Sequence, residues 1–263
     1  MMTDNSDPIR YETDGALATI WLDDPSTRNA LGDETLDALL AALERARDDS
    51  AVRVVILRSA DPKVFSSGGN LKDFADDRPV LEKHAGLDRF PRLYELLAHL
   101  GKPSICAAEG DVLAGAFGIA LACDFIVAAD HVKFGCPEIN VGVFPFMISA
   151  LIYRSLPRSR ANELMMTGEL ITAQSAYDMN IVSRLAPKAQ FDAELGRLAD
   201  RLATRSPLLM RMGKQALTTT RDMTLPEALD HLKAQLGLAL ATEDVKEGVH
   251  ALFEKREPQW GER

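Results

Sequence analysis

Two glycine-rich turns are the features of this sequence best suited to chemistry. The first lies in residues 64–74, after a strand-like run at residues 52–58, and contains the adjacent glycines Gly68 and Gly69. Peptide N–H groups at a turn from strand to helix are often unpaired, and a glycine lets a ligand approach them closely because it has no Cβ. Taken alone, the pattern also fits a turn that only connects two elements.

The second turn has the same setting. Small residues cluster between Gly110 and Gly118, after a predicted strand at residues 104–108 and before a predicted helix that reaches Cys123. Two such turns could each supply one N–H group to the same thioester oxygen. Two such hydrogen-bond donors are the minimum needed to stabilise an enolate.

The composition excludes several classes of protein. The chain has 263 residues, 46% hydrophobic and 26% charged, and a formal net charge of −9. The negative charge argues against nucleic-acid binding, although a local basic patch for an anionic ligand remains compatible with it. No apolar run approaches the roughly 20 residues that span a bilayer, and residues 1–8 are polar and acidic, unlike a signal peptide. We therefore expect a cytoplasmic protein with neither a nucleic-acid nor a membrane partner.

The three cysteines give no sign of a metal site. Cys106, Cys123 and Cys136 lie among apolar or small residues, and their spacing matches no zinc pattern. We expect buried free thiols in a reducing compartment.

The order of predicted elements indicates an α/β protein. Strands and helices alternate in the first half, whereas the pattern from about residue 146 onward is mostly helical. The charged stretch 76–87 has weak periodicity and is interpreted as a solvated segment. We divide the chain into a core at residues 1–200 and a helical C-terminal region at residues 201–263, which packs on the core or on a neighbouring subunit.

Several separate motifs, in this order and spacing, resemble the crotonase (enoyl-CoA hydratase/isomerase) superfamily. They are the segments at residues 28–31, 65–72, 110–124, 134–139, 242–248 and 253–256. The resemblance covers nearly the whole chain. It implies a spiral of ββα units with two roughly perpendicular sheets. It also implies a helical C-terminal region that supports a homotrimer or hexamer, and an acyl-CoA substrate.

The resemblance assigns the oxyanion donors to the N–H groups of Gly69 and Gly115. Gly69 is followed by Asn70, where the family usually has Asp. Gly115 begins the second helix, whose dipole adds to the hydrogen bond.

The resemblance also implies a binding site for coenzyme A. The loop around Arg28 and Ala30 holds its adenine and pantetheine, and Lys72 and Lys255 are candidates for its phosphates. For the three charged residues, the alternative is a solvated surface charge. The full set of predicted binding residues is Arg28, Ala30, Ser67, Gly69, Asn70, Leu71, Lys72, Gly115 and Lys255.

The acid/base pair of the family is incomplete here. Hydratases of this family commonly use two glutamates; the second is present as Glu138, whereas the first position is Gly118. Apolar neighbours such as Ile139 and Phe144 should raise the pKa of Glu138, which suits proton transfer near neutral pH. The alternative is a glutamate that caps a helix or forms a surface salt bridge.

A single carboxylate favours double-bond isomerisation, in which it removes a proton from one carbon and returns it to another. The alternatives are hydration with one glutamate and a water, and a non-catalytic relative that binds acyl-CoA. Other side chains that could replace the missing acid are Asp73, His84, Glu109 and Asp111. The bulky residues 144–147 either reshape the acyl pocket or belong to the core. We expect no metal, and no cofactor beyond the coenzyme A moiety of the substrate.

Overall fold

The computed structural model describes residues 7–70, 77 and 79–263, and these residues fold around two β-sheets. The larger sheet contains β1 (Ile9–Asp14), β2 (Leu17–Leu22), β3 (Val54–Ser59), β5 (Ser104–Ala108), β7 (Phe125–Ala129) and β10 (Arg184–Ala186). The smaller sheet contains β4 (Val64–Ser66), β6 (Asp111–Leu113), β8 (Lys133–Gly135) and β9 (Ile171–Thr172). Their orders are β1-β2-β3-β5-β7-β10 and β4-β6-β8-β9.

Successive strands alternate between the two sheets. The strands β3, β5 and β7 pair in parallel in the larger sheet, and each is followed at once by a strand of the smaller sheet, β4, β6 or β8. The central strands β5 and β7 are buried along nearly their whole length because both of their faces are covered. This repeat, closed by helices, confirms the α/β spiral that the resemblance implied.

Eleven helices of at least six residues are present in the described part of the chain. They are α1 (Asp33–Asp48), α2 (Val80–Gly86), α3 (Arg89–Ala98), α4 (Gly115–Ala122), α5 (Phe146–Ser155), α6 (Arg158–Thr167), α7 (Ala173–Asp178), α8 (Phe191–Ala203), α9 (Pro207–Thr220), α10 (Leu225–Leu240) and α11 (Glu243–Glu254). In α1, buried leucines recur at positions 36, 39, 40 and 43, which is the spacing of one helical face.

The strand β1 and the helix α2 were not predicted from the sequence. Residues 9–14 form β1, an edge strand antiparallel to β2. Half of its six residues are charged, which obscures the alternation of Ile9, Tyr11 and Thr13. The described part of the stretch 76–87 is largely exposed, in agreement with its interpretation as a solvated segment, and it also contains the short helix α2.

The C-terminal helices are attached to the core by polar contacts. The Lys214 ammonium of α9 lies 2.6 Å from the Asp124 carboxylate, which also accepts a hydrogen bond from the Ser104 backbone N–H. Trp260 donates its indole N–H to the Thr204 carbonyl at 2.8 Å. The boundary predicted after residue 200 falls inside α8. Among the described residues, no helix has the length and apolar character needed to cross a membrane.

Candidate active site

A buried asparagine forms hydrogen bonds that join the loop before α1 to the first glycine-rich turn. Asn29 is almost fully buried and donates its side-chain amide to Ser59 Oγ at 2.8 Å and to the Phe65 carbonyl at 3.0 Å. The backbone carbonyl of Asn29 accepts a hydrogen bond from Ser66 Oγ at 2.6 Å. The Leu31 N–H adds a bond to the Gly68 carbonyl at 2.8 Å. The two segments therefore act as one unit.

Gly68 brings the two glycine-rich turns together. Its φ is +89°, and a Cβ at this position would stand 2.3 Å from the Ala114 Cβ and 3.1 Å from the Gly115 backbone nitrogen. We predicted that the adjacent glycines let a ligand approach the backbone. At Gly68 the close neighbour is the second turn, so an added methyl group would force the two turns apart.

The two predicted oxyanion donors are adjacent in space. A Cβ on Gly115 would lie 3.8 Å from the Gly69 nitrogen. Gly115 is the first residue of α4, where the helix leaves its initial N–H groups unpaired. Neither amide donates to a backbone partner in the part of the chain that the structure describes. Both are half-buried, so they can be reached from the neighbouring cavity.

A mainly apolar cavity of about 420 Å³ lies against these two amides. It is lined by Ser67, Gly69, Leu87, Phe90, Tyr94, Ala114, Gly115, Pro137, Glu138, Asn140, Val141, Val143, Phe144, Pro145, Phe146, Met147 and Ile148. Glu138 supplies the one carboxylate among the described lining residues. The bulky run 144–147 belongs to the cavity wall, as one of the two sequence interpretations proposed.

Glu138 is positioned by a short 3-10 helix, Pro137–Val141, which follows β8. Burial raises the pKa of its carboxyl to about 7. Its Oε2 atom is buried and has no hydrogen-bond partner among the described residues. An unpaired carboxylate oxygen in apolar surroundings is costly, unless a bound molecule uses it. The predicted proton acceptor and the two predicted oxyanion donors thus line one cavity.

The space beside Gly118 is already occupied. A Cβ at Gly118 would stand 2.3 Å from the Tyr94 hydroxyl oxygen and 2.6 Å from Ile148 Cγ2. The Tyr94 hydroxyl lies 3.4 Å from the Gly115 carbonyl, and its ring packs near Phe90 with centroids 6.1 Å apart. Tyr94 therefore stands where a side chain at position 118 would project.

The predicted coenzyme A residues fall into three groups. The first group lies at or beside the site. Ser67 lines the cavity, and its N–H donates to the Arg28 carbonyl at 3.0 Å. Ala30 and Asn70 flank the bridge between the backbones of Leu31 and Gly69. Arg28 is exposed. Leu71 and Lys72 form the second group and lie outside the described residues.

Lys255 forms the third group. It is an exposed residue that ends α11 with φ +56°, and it does not line the cavity. Its assignment to a phosphate of coenzyme A stays a prediction.

Three of the side chains weighed as substitutes for the missing acid do not line the cavity. Glu109 pairs with Arg58 at 2.9 Å, and Asp111 accepts the Lys133 N–H at 2.8 Å. His84 is exposed on α2 and is not among the described lining residues. Asp73 lies outside the described residues.

The cysteines are buried and unpaired, as predicted, and burial raises the pKa of all three thiols. Among the described residues, no three His, Cys, Asp or Glu side chains are grouped so that they could hold a metal ion.

Sequence reasoning missed two aromatic residues of the site. Phe90 packs on Gly115, since a Cβ there would lie 2.8 Å from the ring. Phe90 and Tyr94 are one turn apart on α3, and that spacing predicts a shared face. The sequence holds no signal that this face meets Gly118, which is 24 positions further along the chain.

A sequence model of the family described as Enoyl-CoA hydratase/isomerase matches residues 12–263. Among curated proteins, the chain is 34% identical to a carnitinyl-CoA dehydratase of Salmonella arizonae, over 97% of this chain and 98% of that protein. It is 31% identical to a putative enoyl-CoA hydratase of Thermus thermophilus, over 94% and 98%. It is also 32% identical to the 2,3-dehydroadipyl-CoA hydratase of Escherichia coli, over 91% and 92%.

Solved structures agree in fold. Human enoyl coenzyme A hydratase domain-containing protein 3 has a TM-score of 0.92 at 28% identity, covering 96% of this chain and 100% of that chain. An enoyl-CoA hydratase subunit from Geobacillus kaustophilus has a TM-score of 0.90 at 32% identity, covering 98% and 100%.

Proposed function

The chain belongs to the enoyl-CoA hydratase/isomerase family, and on this premise we propose that it converts an acyl-CoA thioester through an enolate. The observation that carries the proposal is the unpaired Glu138 Oε2 in the cavity that Gly69 and Gly115 also line. A thioester oxygen between the two amides would gain negative charge as Glu138 removes a proton. Each donor is then worth about 10²–10³ in rate.

Isomerisation of a double bond is the reaction we favour. Glu138 takes a proton from C2 of a 3-enoyl thioester, and the electrons of that C–H bond spread over the chain to the thioester oxygen. The protonated Glu138 then returns the proton at C4, which leaves a 2-enoyl thioester. This sequence is balanced and redox-neutral. We therefore propose no cofactor beyond the coenzyme A moiety.

Two observations support isomerisation over a two-carboxylate mechanism. Glu138 is the one carboxylate among the described residues of the cavity, and the Tyr94 hydroxyl fills the space beside Gly118. The large apolar side chains Phe144, Phe146 and Met147 suit the acyl chain of the substrate.

Hydration of a 2-enoyl thioester is the second candidate. The names of similar proteins, a hydratase and a dehydratase among them, favour it. In that reaction, Glu138 takes a proton from water as the oxygen attacks C3, and then delivers the proton to C2.

We also propose that the protein assembles as a homo-oligomer, a trimer or a hexamer. Leucines 225, 229, 232, 236 and 240 recur along one side of α10, and Leu225 remains 72% exposed. Phe253 of α11 is 79% exposed. Apolar surface of this extent is typical of an interface between subunits.

Turnover of a 3-enoyl-CoA and a 2-enoyl-CoA, by wild type and by Glu138→Gln, tests the proposal. We expect wild type to isomerise the 3-enoyl thioester and the variant to lose about 10²–10⁴ in kcat, because an amide cannot accept the proton. Binding of the coenzyme A ester should persist in the variant.

Other results have distinct meanings. Strong hydration by wild type, lost in the variant, would favour the second candidate. Binding without turnover of either substrate would contradict an enzymatic role on these thioesters and favour a non-catalytic acyl-CoA-binding protein.

A further inference from the structure

We propose that Tyr94 determines the outcome of the reaction, by filling the space in which a second acid and the water for hydration would lie. This inference rests on the proposed isomerase function. It assigns to Tyr94 a role in specificity. Glu138 alone moves the proton, and Tyr94 keeps water away from carbon C3.

The first step of the argument is steric. The Tyr94 hydroxyl oxygen would be 2.3 Å from a Cβ at Gly118, and Cζ would be 2.8 Å from it. Both distances are shorter than any real contact of a Cβ, so Tyr94 and a side chain at 118 exclude each other. The ring lies in the cavity wall with Glu138.

The second step concerns charge. Burial raises the pKa of Tyr94 far above the ordinary value for a phenol, and the nearby negative charge of Glu138 raises it further. The hydroxyl is therefore neutral at physiological pH and cannot act as a second base. A carboxylate in this place would hold a water by a charge-assisted hydrogen bond, which is about twice as strong as a neutral one.

The third step concerns rigidity. Tyr94 packs near Phe90, and Phe90 in turn packs on the donor Gly115. The Tyr94 hydroxyl also faces the Gly115 carbonyl at 3.4 Å. A ring held from two sides does not leave the cavity easily, so the space beside Gly118 stays closed to water during the reaction.

The test measures the ratio of hydration to isomerisation in two variants of Tyr94. Tyr94→Ala opens the space, and we expect the ratio to rise by about tenfold or more, because water can then reach C3 of the 2-enoyl thioester that isomerisation produces. Tyr94→Phe keeps the ring and removes only the hydroxyl, so we expect the ratio to stay within about twofold of wild type. If Tyr94→Ala does not fold, Tyr94→Leu makes a smaller opening.

Tyr11→Phe is the matched control, because the Tyr11 hydroxyl is also buried, has no described hydrogen-bond partner and is not among the lining residues. Thermal unfolding and binding of a coenzyme A ester verify that each variant is folded. A general loss of structure would lower both reactions together and leave their ratio unchanged.

Five outcomes decide the question. A raised ratio in Tyr94→Ala with an unchanged ratio in Tyr94→Phe supports the proposal. An unchanged ratio in a folded Tyr94→Ala enzyme overturns it, and so does a Tyr94→Phe variant that changes as much as Tyr94→Ala. A wild type that mainly hydrates also overturns it but leaves an acyl-CoA enzyme standing, whereas a wild type inactive on both substrates removes the proposed function itself.

Discussion

The Ala114 Cβ lies 2.3 Å from the point at which a Cβ on Gly68 would stand. This contact sets the separation of the two turns that carry the predicted oxyanion donors. In addition, Gly68 has φ +89°, which L side chains rarely adopt. Position 68 is therefore restricted to glycine by both space and backbone conformation.

We predict that Gly68→Ala lowers kcat by about 10²–10³, the cost of losing one donor, because the turns must move apart. Steady-state kinetics on the preferred enoyl-CoA measures this. Gly15→Ala is the control: it places a methyl group at φ +54° with no atom within 4 Å, in the turn between β1 and β2. Equal losses in the two variants would contradict a role for the close approach.

The pH dependence of the rate should report Glu138. Its pKa is raised to about 7 by burial, and a base must be ionised to accept a proton. We predict that kcat/KM rises with pH up to about 7 and then becomes level. A profile that is already level above about pH 5, near the ordinary value for glutamate, would show that another group is titrated.

Glu138 should also make stability depend on pH. Its pKa is higher in the folded protein, about 7, than the value of about 4.3 for an unfolded chain. The folded state therefore binds the proton more tightly, and this contribution to stability, complete below about pH 4, is lost as pH rises through about 7.

We predict that Glu138→Gln gains stability relative to wild type between pH 5 and pH 8, by about 2 kcal/mol after allowance for partial solvent exposure. Urea denaturation at the two pH values measures the difference. Glu257→Gln, which changes an exposed carboxylate, is the control. A gain of the same size at both pH values would mean that the effect does not come from titration of Glu138.

Asn29 should be among the most sensitive positions for stability. Its side chain donates to Ser59 Oγ and to the Phe65 carbonyl and accepts the Asp24 N–H, all within 3.0 Å. We predict that Asn29→Ala costs roughly 2–4 kcal/mol in the free energy of unfolding, since buried polar groups lose their partners.

The control for this prediction is Asn180→Ala, because Asn180 also has a positive φ, +62°, but is exposed. Denaturant unfolding compares the two variants. Similar losses would indicate that backbone conformation, rather than the hydrogen bonds, makes Asn29 important.

The leucine side of α10 should carry the contact between subunits. We predict that Leu229→Glu with Leu236→Glu shifts the protein from a trimer or hexamer to monomers, because charge is introduced into an apolar interface. Light scattering after gel filtration measures the mass. Ala234→Glu lies on the opposite side of the helix and should leave the assembly intact. A monomeric wild type would contradict the proposed assembly.

The resemblance to a known family, rather than local pattern, led to the prediction of both donors and of the acid/base residue. By itself, each short motif also fits a connecting turn or a surface glutamate, and it is the structure that brings Gly69, Gly115 and Glu138 to one cavity. The helices of the C-terminal half could also be predicted, because their apolar spacing is regular. The strand β1 was missed, although its residues alternate in character, because half of its six residues are charged.

Contacts between distant segments were decided by the tertiary structure alone. Gly68 meets Ala114, Asn29 joins its loop to the turn at Phe65, and Tyr94 fills the place beside Gly118. Each of these depends on how two elements pack, and packing is set by the shape of the whole core rather than by residues adjacent in sequence. The sequence alone therefore predicted which groups could do chemistry, while the packing of α3 against α4 decided the space around them.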